Sequence, residues 1–137
     1  MKLEGIHASL KNHVKELAKG ITAKKDKVVL GCLTDIDEQI NSITEFFEEH
    51  GQAVQDFIDN HGSEEISEQL EELKTKANHG VKVATKTLDV FREQLENEKT
   101  SPKHVVPLQT EATVLIELLE EITTDPKYST LVEDYLK

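Results

Sequence analysis

The stretch Leu33–His61, LTDIDEQINSITEFFEEHGQAVQDFIDNH, decides how the chain folds. Leu33, Ile36, Ile40, Ile43, Phe47, His50, Val54, Phe57 and His61 follow one another at gaps of 3 and 4. Such a seam turns one helix face inward for four heptads, the pattern of a long helix packed on other helices. A second seam runs through Ile66, Leu70, Leu73, Ala77, Val81, Ala84, Leu88, Phe91 and Leu95. Its consecutive steps of 4 around Ala77 and Val81 predict a local relaxation of the supercoil.

Between the seams lies His61–Gly62–Ser63–Glu64–Glu65. Gly62 suits the left-handed residue that ends a helix, and Ser63 suits the cap of the next. The two acids after it meet the positive end of the helix dipole. So short a connection predicts an antiparallel hairpin, with facing residue numbers adding to about 124.

Outward from the hairpin the signals are shorter. Leu3, Ile6, Leu10, Val14, Leu17 and Ile21 form an N-terminal stripe that Gly20–Ile21–Thr22 should end. Val105, Leu108, Ala112, Leu115, Leu119 and Ile122 form a third seam, and Asp125–Pro126 reads as a cap with proline in the first turn. Helices are expected over 2–20, 23–61, 63–99, 107–123 and 126–136. No stretch alternates with a period of 2. The expected fold is a single all-α domain over 1–137, an antiparallel bundle built on the hairpin of 23–61 and 63–99. Gly51 lies in the seam without shifting its phase, which favours a continuous helix. At Gly31 a break is the alternative, because Thr34 is followed by Asp35, Asp37 and Glu38. The shorter helices look too short to cover both long ones, which makes a homodimer or a partner helix an expectation.

The 137 residues carry a net charge of −11, with 36% apolar residues, four Phe, two Tyr and no Trp. The core must therefore be mostly aliphatic. The charge argues against a nucleic-acid backbone binder. It is also uneven: residues 1–30 carry +4, 31–72 carry −13, 73–104 carry +3 and 105–137 carry −5. Antiparallel pairing would set Lys74 near Glu49 and His50, Lys76 near Glu48, and Lys86 near Glu38. Asp56, Asp59, Glu64, Glu65, Glu68, Glu71 and Glu72 have no such partner and gather at the hairpin tip. They form either a solvated, dipole-favoured helix start or a docking surface for a basic partner.

Specific chemistries find little support. No two of the six histidines are three or four residues apart, and Glu4–Gly5–Ile6–His7 is a lone half of a di-iron pattern, so no metal or cofactor is assigned. A calcium loop around Gly62 would need its first ligand at Phe57. No phosphate loop or nucleophile elbow occurs. Cys32, the only cysteine, sits beside the seam and reads as a buried, inert thiol in a reducing, cytoplasmic setting. No run approaches the ~20 apolar residues of a membrane span. Lys2, Lys11, Lys15 and Lys19 around the N-terminal stripe resemble an interfacial membrane helix, but an ordinary bundle helix whose lysines flank the acidic one is the favoured reading. If His50 is buried and neutral, its protonation should loosen the hairpin.

The expectation is a non-enzymatic helical interaction module: an adaptor, chaperone-like cover or assembly subunit. Its partner is another protein, with a basic surface, or a second copy. The alternatives are a carrier of lipid or another apolar ligand, and an acidic mimic of nucleic acid.

Overall fold

A computed structural model describes residues 3–61, 64–97 and 102–136, without the side chains of His61, Glu64 and Pro102. Helices α1 (Leu3–Thr22), α2 (Asp26–His61), α3 (Glu64–Glu96), α4 (Val106–Thr124) and α5 (Pro126–Thr130) follow in order. A 3-10 turn, Pro102–His104, precedes α4, and a π-helical turn, Leu131–Tyr135, continues α5. Among the described residues there is no strand. Helix α1 packs on α2, α2 on α3, α3 on α4, and α4 back on α1, closing a four-membered ring of helices. The turn around Gly62 and Ser63 lies outside the described residues.

Helix α2 is unbroken through both Gly31 and Gly51. At 36 residues it is about 54 Å long. Its seam is the core: Leu33, Ile36, Ile40, Ile43, Phe47, Val54 and Phe57 are all buried. On α3 the seam runs differently from the apolar pattern. Val81 is only partly buried, and the inward position is Gly80. Counting Gly80 and the buried Thr87, the core positions are 66, 70, 73, 77, 80, 84, 87, 88 and 91. Steps of 4 and 3 alternate from 66 to 84, where the sequence pattern has two consecutive steps of 4, and the core face widens at the adjacent buried Thr87 and Leu88. A Cβ at Gly80 would meet Ile40 Cγ2 at 3.3 Å and Leu115 Cδ1 at 3.5 Å. Facing numbers there add to 120 rather than 124, a slip of about one turn.

The end of α1 also differs from its sequence signal. Gly20 does not stop the helix, which runs on to Thr22. Lys24 is the residue with positive φ, at 57°. The amide of Lys25 donates to the Gly20 carbonyl and that of Lys24 to the Ile21 carbonyl, a Schellman turn with lysine where glycine is usual. Gly20 is buried instead because α1 comes against α2 there. A Cβ on it would lie 3.1 Å from Val28 Cγ1 and 3.2 Å from Val29 Cγ2. Farther along, Leu3, Ile6, Leu10 and Leu17 are buried in the bundle, so the N-terminal stripe is a core face. Among the described residues no helix is long and apolar enough to cross a membrane.

The C-terminal segment supplies the cover that α1 and α4 are too short to give. Asp125 caps α5, its carboxylate accepting from the Lys127 amide at 2.9 Å. Leu131 and Tyr128 are buried, and the ring of Tyr135 stands edge-on to Phe57 at 5.7 Å between centroids. Among the described residues only Val28 and Val106 are large apolar side chains left exposed. The length argument for a second copy therefore loses its premise.

Two predictions follow from the backbone and the cover. Lys24→Gly should raise unfolding free energy by about 1 kcal/mol, since an L side chain at positive φ is strained. Gly51→Ala should add ~0.5–1 kcal/mol, because nothing lies within 4 Å of its Cβ, whereas Gly20→Ala should lower the midpoint. Urea titrations read all three. Removing residues 126–137 should cost about 3 kcal/mol or more, as for losing large core side chains, and uncover Phe57. Light scattering should then report more self-association than the full chain shows.

Candidate functional site

The acids singled out at the hairpin tip are in solvent. Asp56, Asp59, Glu65, Glu68, Glu71 and Glu72 are exposed, and the side chain of Glu64 lies outside the described residues. Asp56 accepts from Gln52 Nε2 and Asp59 from Gln55 Nε2, both at 2.9 Å, each one turn along α2. Glu65, Glu68 and Glu72 fall at spacings of 3 and 4 and share a stripe of α3.

Topology brings a further set of acids to the same end. Because α4 packs on α3, Gln69 Nε2 reaches Glu121 Oε2 at 3.5 Å. Exposed Glu117, Glu120 and Glu121 thus join the α3 stripe. The contact of Tyr135 with Phe57 carries the exposed Glu133 and Asp134 to the tip as well. Sequence reasoning counted the −5 of the last segment but had no way to locate it. The missing information was the antiparallel return of α4 along α3.

The expected lysine partners do not close on these acids. The ion pairs among the described residues are His13–Asp35 at 3.3 Å, Lys19–Glu16 at 3.6 Å, His50–Glu49 at 4.0 Å and His79–Glu111 at 3.1 Å. None joins an α3 lysine to an α2 carboxylate, so Lys74, Lys76 and Lys86 do not form the pairs expected with Glu49, Glu48 and Glu38. The one long-range influence of this kind is Arg92 on Asp37. Burial still holds the Asp37 carboxyl above its ordinary range, against its hydrogen bond from Asn41 and the Arg92 charge.

Helix polarity sharpens the contrast. Acids in the first turns of α3 lie at its positive end and are stabilising. Asp59 in the last turn of α2 and Glu121 in the last turn of α4 lie at negative helix ends. Each such placement costs ~0.3–1 kcal/mol at low ionic strength. No base stands in the last turn of α4 to offset it. A dipole-favoured helix start therefore explains only part of the cluster.

The remaining candidates serve structure. His13 bridges α1 to α2, with Nδ1 at 2.8 Å from the Ser9 carbonyl and Nε2 facing Asp35. His79 ties α3 to Glu111 of α4. His50 is half-buried, its side chain 26% exposed beside Glu49 and the Phe46 ring, so the fully buried imidazole on which the expected loosening of the hairpin depended is not present. Among the described residues no group of three His, Cys, Asp or Glu side chains is arranged to hold a metal ion. Cys32 is buried, and burial, with the charges of Asp35 and Glu16, pushes its thiol up and away from the thiolate.

Tyr128 is the most perturbed group. Its hydroxyl donates to Glu4, latching the C-terminal segment to α1. Burial, the hydrogen bond to Glu4 and the Glu4 charge all push its ionisation well above the ordinary phenol value. No known protein family, curated protein or solved structure significantly matches this chain.

The Tyr128 shift predicts an alkaline weakness. Above about pH 10 the phenol ionises in the unfolded chain while the fold keeps it neutral. The unfolded state then binds fewer protons, so stability falls as pH rises, by up to about 1.4 kcal/mol per pH unit. Tyr128→Phe should be less stable at pH 8, by about 1 kcal/mol for the lost hydrogen bond, and should lose that part of the slope between pH 10 and 11. Denaturation midpoints across that range test it.

Proposed function

We propose that this chain is a non-enzymatic helical interaction module of the cytoplasm. Its acidic bundle end docks on a protein with a basic surface, in the manner of an adaptor, chaperone-like cover or assembly subunit. The observation that carries this reading is the set of exposed acids at the C-terminal ends of α2 and α4, against both helix dipoles and beside the acids of α3. Like charges gathered in this way destabilise the bundle on its own. A basic partner converts that repulsion into attraction at contact.

The test separates binding from folding. A variant with Asp56→Asn, Asp59→Asn, Glu120→Gln and Glu121→Gln should be more stable than the native chain, by ~0.3–1 kcal/mol for each carboxylate removed from a last helix turn. In affinity capture from the source cells, the native chain should retain a basic protein that is released as the Debye length shrinks to ~3 Å at 1 M salt. The variant should fail to retain it. If the variant captures the same proteins as the native chain, the acidic end is not the docking surface.

A further inference from the structure

The groove between α3 and the start of α4 differs chemically from the rest of the surface. Val83, Thr87 and Val90 of α3 and Pro107 of α4 form its walls, and its volume is about 280 Å³. Lys86 of α3 and Lys103 and His104 of the 3-10 turn complete the lining, all three exposed. No carboxylate lines it. Three other grooves among the described residues each carry at least one: Glu71 beside Gly51, Glu4 and Glu133 beside Tyr128, and Glu117 on α4. In a chain of net charge −11, Lys86, Lys103 and His104 all belong to the 73–104 stretch, which carries +3, and here they surround an apolar floor.

The local structure explains how the groove arises. Lys86 and Val90 are four apart and Val83 and Thr87 are four apart, so both pairs stand on adjoining rows of α3. Proline at the start of α4 leaves a ring where a backbone donor would be. The 3-10 turn carries Lys103 and His104 against α3. The walls offer hydrocarbon, and the polar groups at the rim offer N–H donors and positive charge but no carboxylate.

We propose that this groove binds a small amphiphilic anion, a carboxylate with a hydrocarbon body of the medium-chain fatty-acid kind. Apolar walls desolvate the chain, and Lys86, Lys103 and His104 receive the head. Ligand pockets commonly run from ~300 to 1,000 Å³, so a groove of this size takes one short chain rather than a phospholipid. A neutral alcohol has no charge for the rim, and a cationic amphiphile is repelled by it. The site lies away from the acidic bundle end and is independent of what docks there.

The experiment is a nitrogen–proton NMR titration of the full-length chain with decanoate, decan-1-ol and decyltrimethylammonium, each kept below micelle formation. Decanoate should shift the amides of residues 83–90 and 103–106 saturably, and the other two should bind more weakly by about tenfold. The double variant Lys86→Glu, Lys103→Glu should lose decanoate affinity by about tenfold or more, and Lys86→Arg, Lys103→Arg should keep it. Both positions changed are exposed, so the fold is retained, which the undisturbed core amides report. Equal binding of the three amphiphiles overturns the proposal. So do shifts centred on Ile40 or Phe57, or an affinity unchanged by the Glu substitutions.

Discussion

Three helices meet where α3 has no side chain. At Gly80 the backbone of α3 comes within van der Waals reach of Ile40 on α2 and Leu115 on α4. A methyl group there would require the Ile40 side chain to give by a few tenths of an ångström, and a longer side chain would have to displace more. The contact marks the register of the hairpin, with residue 80 level with residue 40, and the level at which α4 lies on it. The position of every acid along the bundle follows from that register. Gly20 does the same for α1, letting its backbone settle against Val28 and Val29.

The parts of the fold legible in the sequence are those carried by apolar side chains. The α2 seam reads directly, because almost every inward position is Leu, Ile, Phe or Val. The α3 seam was misread at one point, since Gly80 and Thr87 are core positions without an apolar signature. Val81, the apolar residue next door, drew the pattern off by one. Gly20 was misread for the converse reason. Glycine near a helix end signals a stop, but here it answers a close approach and Lys24 makes the turn. The cover over Phe57 was hidden because Leu131 and Tyr135 lie on a short helix that widens into a π turn.

The candidate site was half legible. The tip acids of α2 and α3 are a run in the sequence, and the structure leaves the described ones exposed. The acids of α4 join them only through the fold, by way of Gln69 and Glu121. The lysines of α3 were expected to neutralise the α2 acids, yet the close ion pairs of the bundle mostly involve histidine. Sequence charge alone does not distinguish a long side chain that lies across an interface from one that extends into water. The groove at Lys86 and Lys103 was invisible for a similar reason: its two walls are separated by a loop and meet only when α4 turns back.

The ring order of the helices carries a kinetic consequence. Three of its four contacts, α1 with α2, α2 with α3 and α3 with α4, join neighbours in the chain. Each forms by closing a short connection, which costs little loop entropy. Only the contact of α1 with α4, latched by Tyr128 and Glu4, spans nearly the whole chain. A topology so rich in local contacts belongs to the fast-folding class. Ring closure between α1 and α4 carries the largest loop-entropy cost of the four contacts, and the same seam is where the native bundle should first breathe.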